Sequence, residues 1–427
     1  MYLPNVKPVL LAALISLAFN AHAETSAGAL EPSALEKRLD QMQKEIESLK
    51  QQLAAEKTAR QEQVTAVQTA AQDTQREASA TSIGGYGEVV YNNYKDKTIK
   101  DEADLQRFVL FFGHRFNDKL RLYSELEIEH ALVESGQGEL GLEQAYIEYN
   151  LHPKINLRAG LMLMPLGLLN EVHEPPTFYG VERNEVESRI IPTTWRELGV
   201  GLQGEVLDGL EYNAGIATSL DASKFSNASS GIRSLRSEGF KAAASDLALY
   251  AGLNYRQPGW LLGGGLFTGN TAQNGVGSTS SAALEGKNAR VTLWDVHGKY
   301  SIGKLDLQAL YARGTLNDTQ AINQAASIAT GSGSAAPKSF WGGYGQAAYA
   351  VWTQGDMKLS PFVRYERYNT QASVDDGYAK DPLNNERVIT AGANFNLSRE
   401  VVFKADWQNY QKDKRKDRFN LGVGYMF

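Results

Sequence analysis

The spacing of apolar residues changes once along this chain, and the change divides it. From Leu35 they fall at Leu35, Leu39, Met42, Ile46, Leu49 and Leu53, at alternating intervals of four and three, which is the heptad seam of a coiled coil. With Leu39, Ile46 and Leu53 at position a, Glu45 becomes a g residue and Lys50 the following e residue, an attractive pair between parallel helices. The seam predicts a coiled coil over 35–68 and parallel self-association. Past Leu53 it would contain Glu56, Arg60 and Gln63, and only Val64, Val67 and Ala70 partly restore it, so the helix frays or shifts register there. Residues 69–83, rich in Ala, Thr, Ser and Gln, read as a linker.

From Gly84 onward the period is two. Leu120, Leu122, Leu126 and Ile128 share one face while Arg121, Glu125, Glu127 and Glu129 occupy the other, the pattern of a strand with one apolar and one polar side. Ala145, Ile147, Tyr149 and Leu151 alternate in the same way with Gln144, Tyr146, Glu148 and Asn150. A soluble sandwich also alternates, so the connections must decide. Short turns are legible at 117–119, 152–154, 208–209, 257–259, 301–303, 354–356 and 398–400. Between them lie longer polar segments near 95–104, 134–139, 165–196, 220–245, 270–288, 317–338, 370–385 and 411–416. Strict alternation of short and long connections is the pattern of an outer-membrane barrel. The reading is all-β: a transmembrane antiparallel β-barrel of about 16 strands over 84–427, preceded by the short α-helical coiled coil. Strands are expected to begin near residues 84, 105, 119, 140, 154, 197, 210, 246, 259, 289, 303, 339, 357, 386, 400 and 416. Tyr149, Tyr212, Tyr255, Trp260, Tyr300, Trp352 and Trp407 are expected as an aromatic girdle near the turn ends.

The N-terminus supplies an address. Lys7 precedes an apolar run from Val9 to Phe19, followed by Ala21-His22-Ala23, a secretory signal with a small-x-small cleavage site. Residues 1–23 are therefore expected to be a signal peptide and 24–34 an N-terminal segment of the exported chain. The run is about half as long as a membrane-spanning helix requires. Composition agrees with export to a barrel: 40 Gly and 20 Tyr accompany no Cys, which excludes disulfides and thiolate chemistry. With 43 Lys and Arg against 49 Asp and Glu, the formal charge of −6 argues against nucleic acid as a partner.

No candidate catalytic group emerges. Residues 199–204 match a dinucleotide fingerprint literally but are followed by a strand and turn, not the helix that would meet a pyrophosphate. His173-Glu174 is followed by Pro175-Pro176, which forbids a helix placing a second ligand one turn away; no metal or cofactor is expected. Charge on the polar faces says more. Arg121, Arg158, Arg364, Lys404 and Arg418 share them with Glu125, Glu127, Glu366 and Asp406. Facing hydrocarbon at mid-depth a cation would cost about 2–4 kcal/mol, so both signs imply a wet, charged lumen. The segment 165–196 is the natural constriction: Leu166, Leu168 and Leu169 can dock on a wall, Pro175-Pro176 bends the chain, and Glu182, Arg183, Glu185, Arg189 and Arg196 give a mixed-charge eyelet.

The runs 84–88 (GGYGE), 124–130 (SELEIEH), 170–178 (NEVHEPPTF) and 191–195 (IPTTW) resemble the phosphate-selective porin O and P family of Gram-negative outer membranes. The resemblance covers about residues 84–427 and implies a sixteen-stranded trimeric barrel with an inward-folded loop, its N-terminal coil lying in the periplasm. Phosphate-selective members are similar in using dense Arg and Lys arrays, whereas here each basic stripe is interleaved with carboxylates. The function expected is passive diffusion of small hydrophilic solutes or ions, anionic ones included, with Arg158, Arg183, Arg189, Arg196, Arg364 and Lys404 on the cationic side of the constriction. Outer-membrane lipid and two further copies of the chain are the expected partners. An outer-membrane barrel enzyme, or a structural barrel whose coil tethers the envelope, is the alternative.

Overall fold

Alternation has a structural consequence only if a sheet separates two environments, and here it does. A computed structural model describes residues 33, 36–37, 39–54, 57, 80–134, 137–276 and 279–427. The residues expected to form a signal peptide, Leu35 of the expected seam, residues 58–68 of the expected coiled coil and most of the expected linker lie outside the described residues. The chain divides into two units, Met1–Glu77 and Ala78–Phe427. In the first, a helix runs over 39–54. It presents Leu39, Met42, Ile46, Leu49 and Leu53 on its surface, each about half exposed or more, and carries an i,i+4 pair, Lys44 to Asp40 at 2.8 Å.

The second unit is a closed antiparallel barrel of sixteen strands among the described residues. They are β1 (Thr81–Tyr94), β2 (Glu102–Arg115), β3 (Leu120–Glu134), β4 (Gln137–His152), β5 (Ile155–Leu163), β6 (Arg196–Leu207), β7 (Leu210–Thr218), β8 (Leu247–Gln257), β9 (Trp260–Asn270), β10 (Arg290–Ile302), β11 (Leu305–Leu316) and β12 (Ser339–Tyr349). β12 is interrupted and continued by Trp352–Gln354, both pieces pairing with β13 (Met357–Ser373); β14 (Asn385–Asn396), β15 (Val401–Tyr410) and β16 (Arg418–Met426) complete the order. Each strand pairs with its sequence neighbours. The ring closes where β16 meets β1, from Tyr86 opposite Met426 to Tyr94 opposite Arg418, and Gly85 and Phe427 exchange two backbone hydrogen bonds of 2.9 Å. Observed strand starts fall within about three residues of those expected. The expected linker boundary is corrected by three residues, since 81–83 already pair with Phe112, Gly113 and His114.

The apolar face points outward. Leu202, Leu253, Val296, Val363 and Ile389 are exposed, whereas Glu88, Glu125, Glu148, Asp295, Arg364, Glu366 and Asp406 are buried on the inner face. This inversion is stable only where the surrounding medium is hydrocarbon. The aromatic girdle is as expected on the outer face with one correction. Trp407 stands three residues from the long-loop end of β15, not at the turn end, because the alternation fixes its face but not its depth. Two bulges re-aim side chains: Gln106 of β2 is extra at the Glu88/Val89 step, and Glu143 of β4 is extra opposite Glu125/Leu126.

The lumen is not wet throughout. At the long-loop end the connections 219–246, 271–276 with 279–289, and 317–338 fold into the mouth and bury Leu220, Phe225, Ile232, Leu235, Leu284 and Ile322 against inward Val291, Leu293, Leu310 and Phe340. The expectation of a fully hydrated interior missed this cap because its apolar residues are scattered through segments that read as polar loops.

Gly85 marks where closure tolerates no side chain: a Cβ there would meet the Val109 carbonyl oxygen at 2.3 Å and the Phe427 ring at 3.1 Å. Gly85→Val is expected to lower unfolding free energy by about 1–3 kcal/mol, read from urea unfolding of the detergent-folded barrel; an unchanged midpoint would show that closure does not depend on this contact.

Candidate functional site

Residues 164–195, between β5 and β6, turn inward and cross the barrel. Met164–Asn170 lies on β8–β10, where Gly252 and Gly265 leave room for Pro165 and Leu166. The Asn170 side chain then ties the two ends of the segment together: its Nδ2 donates to the carbonyls of Met164 (2.7 Å) and Trp195 (2.9 Å), and its Oδ1 accepts from the Trp195 N–H (2.7 Å). Pro175 packs over Gly424 of β16. Beyond it the inner wall holds the loop by its backbone. Asp406 accepts from Val181 N–H (2.6 Å), Glu366 from Glu185 N–H (2.7 Å), and Arg364 and Asn394 donate to the carbonyls of Tyr179 and Phe178, each at 3.0 Å. Asn184 caps the short helix Glu185–Arg189 by accepting from Glu187 N–H. Glu187 in turn accepts from the N–H groups of Leu168 and Leu169, both 2.7 Å, and from Tyr344. Carboxylates bonded to several N–H groups are strong, directional anchors.

The root of the loop is fixed by a second device. His173, 3% exposed, meets the Asn170 carbonyl through Nδ1 at 3.1 Å, and its Nε2 faces Glu143 at 3.2 Å and Glu125 at 3.7 Å. The bulge in β4 brings Glu143 there. Burial works against charging His173, but Glu143 and Glu125 outweigh both burial and the repulsion of Arg183 and hold the imidazole up at about 9. These three residues offer ligand atoms within 4.8 Å of one another, and a proton on Nε2 meets the same need. In the short helix, burial acts to raise Glu185, but the Arg189 guanidinium and the Tyr410 hydroxyl outweigh it and hold the carboxyl down at about 2.

Between the loop and the wall of β1, β2 and β16 lies a polar cavity of about 320 Å³, lined by Glu88, Arg107, Glu182, Arg183, Glu185, Arg189, Arg233 and Arg418 among others. Five arginines face three glutamates. Arg107 is ion-paired with Glu88 at 2.7 Å and Glu127 at 3.2 Å, and Arg418 stands 3.8 Å from Glu182. Arg189 pairs with Glu185. The Nε and Nη2 of Arg183 are buried without a hydrogen-bond partner.

Of the residues expected at a constriction, Glu182, Arg183, Glu185, Arg189 and Arg418 come together around this cavity. The others do not. Arg364 is 2% exposed and paired with Glu366 at 2.8 Å beneath the loop, and Lys404 is buried with its Nζ 3.5 Å above the Phe178 ring; both hold the loop instead of facing the passage. Arg196 is buried against Glu238 at 3.2 Å. Arg158 pairs with Glu148 at 2.9 Å on the β4–β5 wall. Arg121 is exposed near a short turn, and Glu125 and Glu127 serve His173 and Arg107. Sequence reasoning missed Arg107, whose facing depends on the Gln106 bulge, and Arg233, which reaches the cavity from the connection 219–246. It also missed the His173 cluster, since its partners are 30 and 48 residues away on other strands.

Residues 84–420 match the model of a family described as phosphate-selective porin O and P. The chain belongs to this family. A porin of this kind is an outer-membrane channel for solutes. An uncharacterized protein of Aquifex aeolicus (strain VF5) is 36% identical over 357 residues, covering 81% of this chain and 80% of that one. The barrel is similar in fold to Salmonella typhi OmpF solved with daunomycin, at 13% identity and a TM-score of 0.53 over 81% of this chain and 97% of the other. It is also similar to a loop L8 deletion mutant of OmpT from Vibrio cholerae, at 14% identity and 0.50 over 81% and 99%.

The raised His173 contributes stability that is complete below about pH 6.5 and is lost as the pH rises through about 9. Loop-root exchange with deuterium is expected to accelerate across that window in the wild type and to be pH-flat, beyond intrinsic exchange, in His173→Gln; identical profiles would remove the ion pair. Asp406→Asn, which keeps the shape but weakens the bond to Val181, is expected to increase open-channel current noise severalfold at unchanged strand content, measured in planar bilayers and by circular dichroism.

Proposed function

We propose that this porin passes small hydrophilic anions, phosphate-sized oxyanions among them, through the gap between the inward loop and the wall of β1, β2 and β16. The observation that carries the reading is the excess of guanidinium groups there, with Arg183 the one whose donors are unspent on other protein groups. A narrow, low-dielectric passage magnifies such an excess. Because most of these arginines are partnered by carboxylates, selectivity is expected to be a bias, not exclusion of cations.

The helix over 39–54 supports association of three copies through Leu39, Met42, Ile46, Leu49 and Leu53, which form a continuous apolar seam left about half exposed among the described residues. The chain enters β1 at the rim that carries the short turns, which in outer-membrane barrels is the periplasmic one. This favours a periplasmic coil, 35–68, joined by the linker to the barrel, with the export signal 1–23 removed.

Reversal potentials across a KCl gradient test the proposal on the full chain in planar bilayers. The wild type is expected to favour chloride, and Arg183→Glu combined with Arg189→Glu to shift the permeability ratio toward potassium severalfold. An unchanged ratio in channels of normal conductance would sink the assignment of this gap as the selective element.

A further inference from the structure

The outer surface of the barrel carries charge at one place only among β10 to β14. At the outward positions of these five strands there is no Asp or Glu, but there are four arginines, Arg290, Arg313, Arg367 and Arg387, all exposed and all at the long-loop end. Their outward neighbours toward the short turns are uncharged: Thr292 followed by Trp294, Tyr311, Tyr365 and Ile389. None of the four has an ion pair with a carboxylate among the described residues. Arg367 and Arg387 stand directly opposite each other across β13 and β14, where antiparallel geometry brings their Cβ atoms to about 5 Å. Like charges so placed repel unless something negative lies between or above them.

The level of the row identifies that medium. Arg313 pairs with Trp341 across β11 and β12, the Arg367 guanidinium lies 5.6 Å from the Trp341 ring centroid, and Trp294, Tyr311 and Trp341 form a continuous aromatic strip at 5.8 and 6.4 Å. Such strips mark the headgroup level of a bilayer. Long loops lie on the outer side of an outer-membrane barrel, so the row faces the outer leaflet only. A planar guanidinium binds phosphate oxygens in a bidentate manner.

We propose that Arg290, Arg313, Arg367 and Arg387 form a belt that binds the phosphate groups of an anionic outer-leaflet lipid, one headgroup phosphate being shared by Arg367 and Arg387. The site is separate from the passage through the barrel, so its loss leaves conduction intact.

The test uses the full chain folded in detergent, with lipid retention followed by native mass spectrometry. The probes are a diphosphorylated glucosamine lipid and neutral phosphatidylcholine. The wild type is expected to retain the diphosphorylated lipid in preference. Arg367→Gln combined with Arg387→Gln is expected to weaken retention about thirtyfold, taking the usual worth of two basic residues at a charged surface, with single-channel conductance unchanged. Heat-modifiable electrophoretic mobility verifies folding; should the double variant fail it, Arg313→Gln alone is expected to cost about fivefold. Three results would overturn the proposal: equal retention by wild type and variant, displacement of the lipid by millimolar inorganic phosphate, or a variant that changes only the oligomeric state, which would assign the row to contact between copies.

Discussion

A backbone that crosses hydrocarbon has no water to turn to, so every N–H and C=O must find a partner within the protein. One open edge among sixteen strands would leave a full row of unpaired groups in lipid, and the β1–β16 ladder removes it. Closure also fixes where charge can lie. Side chains that alternate on a closed sheet face either lipid or lumen, so every charge on the strands at mid-depth must point inward, and the interior becomes a crowded, charged space that something has to organise.

The inward loop does that organising. Its backbone crosses the barrel without regular secondary structure except for short helical turns, and the wall satisfies it with side chains: Asp406, Glu366, Arg364 and Asn394 each meet a loop N–H or C=O. Charges that would repel in an empty cylinder become anchors. The same arrangement decides which charges remain available to a passing ion, since those engaged with the loop cannot also face the gap. Arg364 and Arg183 both belong to a charged lumen, yet one is spent on Glu366 and Tyr179 and the other is not.

Much of the fold was legible because the signals are local. Period two, short turns and long polar connections are read from neighbouring residues, and they placed all sixteen strands. The division of labour among the charges was not legible, because it depends on contacts between residues far apart in sequence. Glu143 faces His173 only because β4 carries a bulge, and Arg364 lies under the loop only because the loop takes that path. The cap at the mouth was hidden for a related reason: Leu220, Phe225, Ile232 and Leu284 show no period, since each comes from an irregular turn and they form a surface only together.

That cap constrains where the exterior of the molecule can vary. Residues on its inner side are locked into shared packing, so exchange there would disturb several connections at once. Gly286 and Gly331 are different: both adopt left-handed backbone, and an added Cβ at either would meet no atom within 4 Å. These tips are the places where a foreign epitope could be grafted and displayed on a cell surface without disturbing the packing beneath.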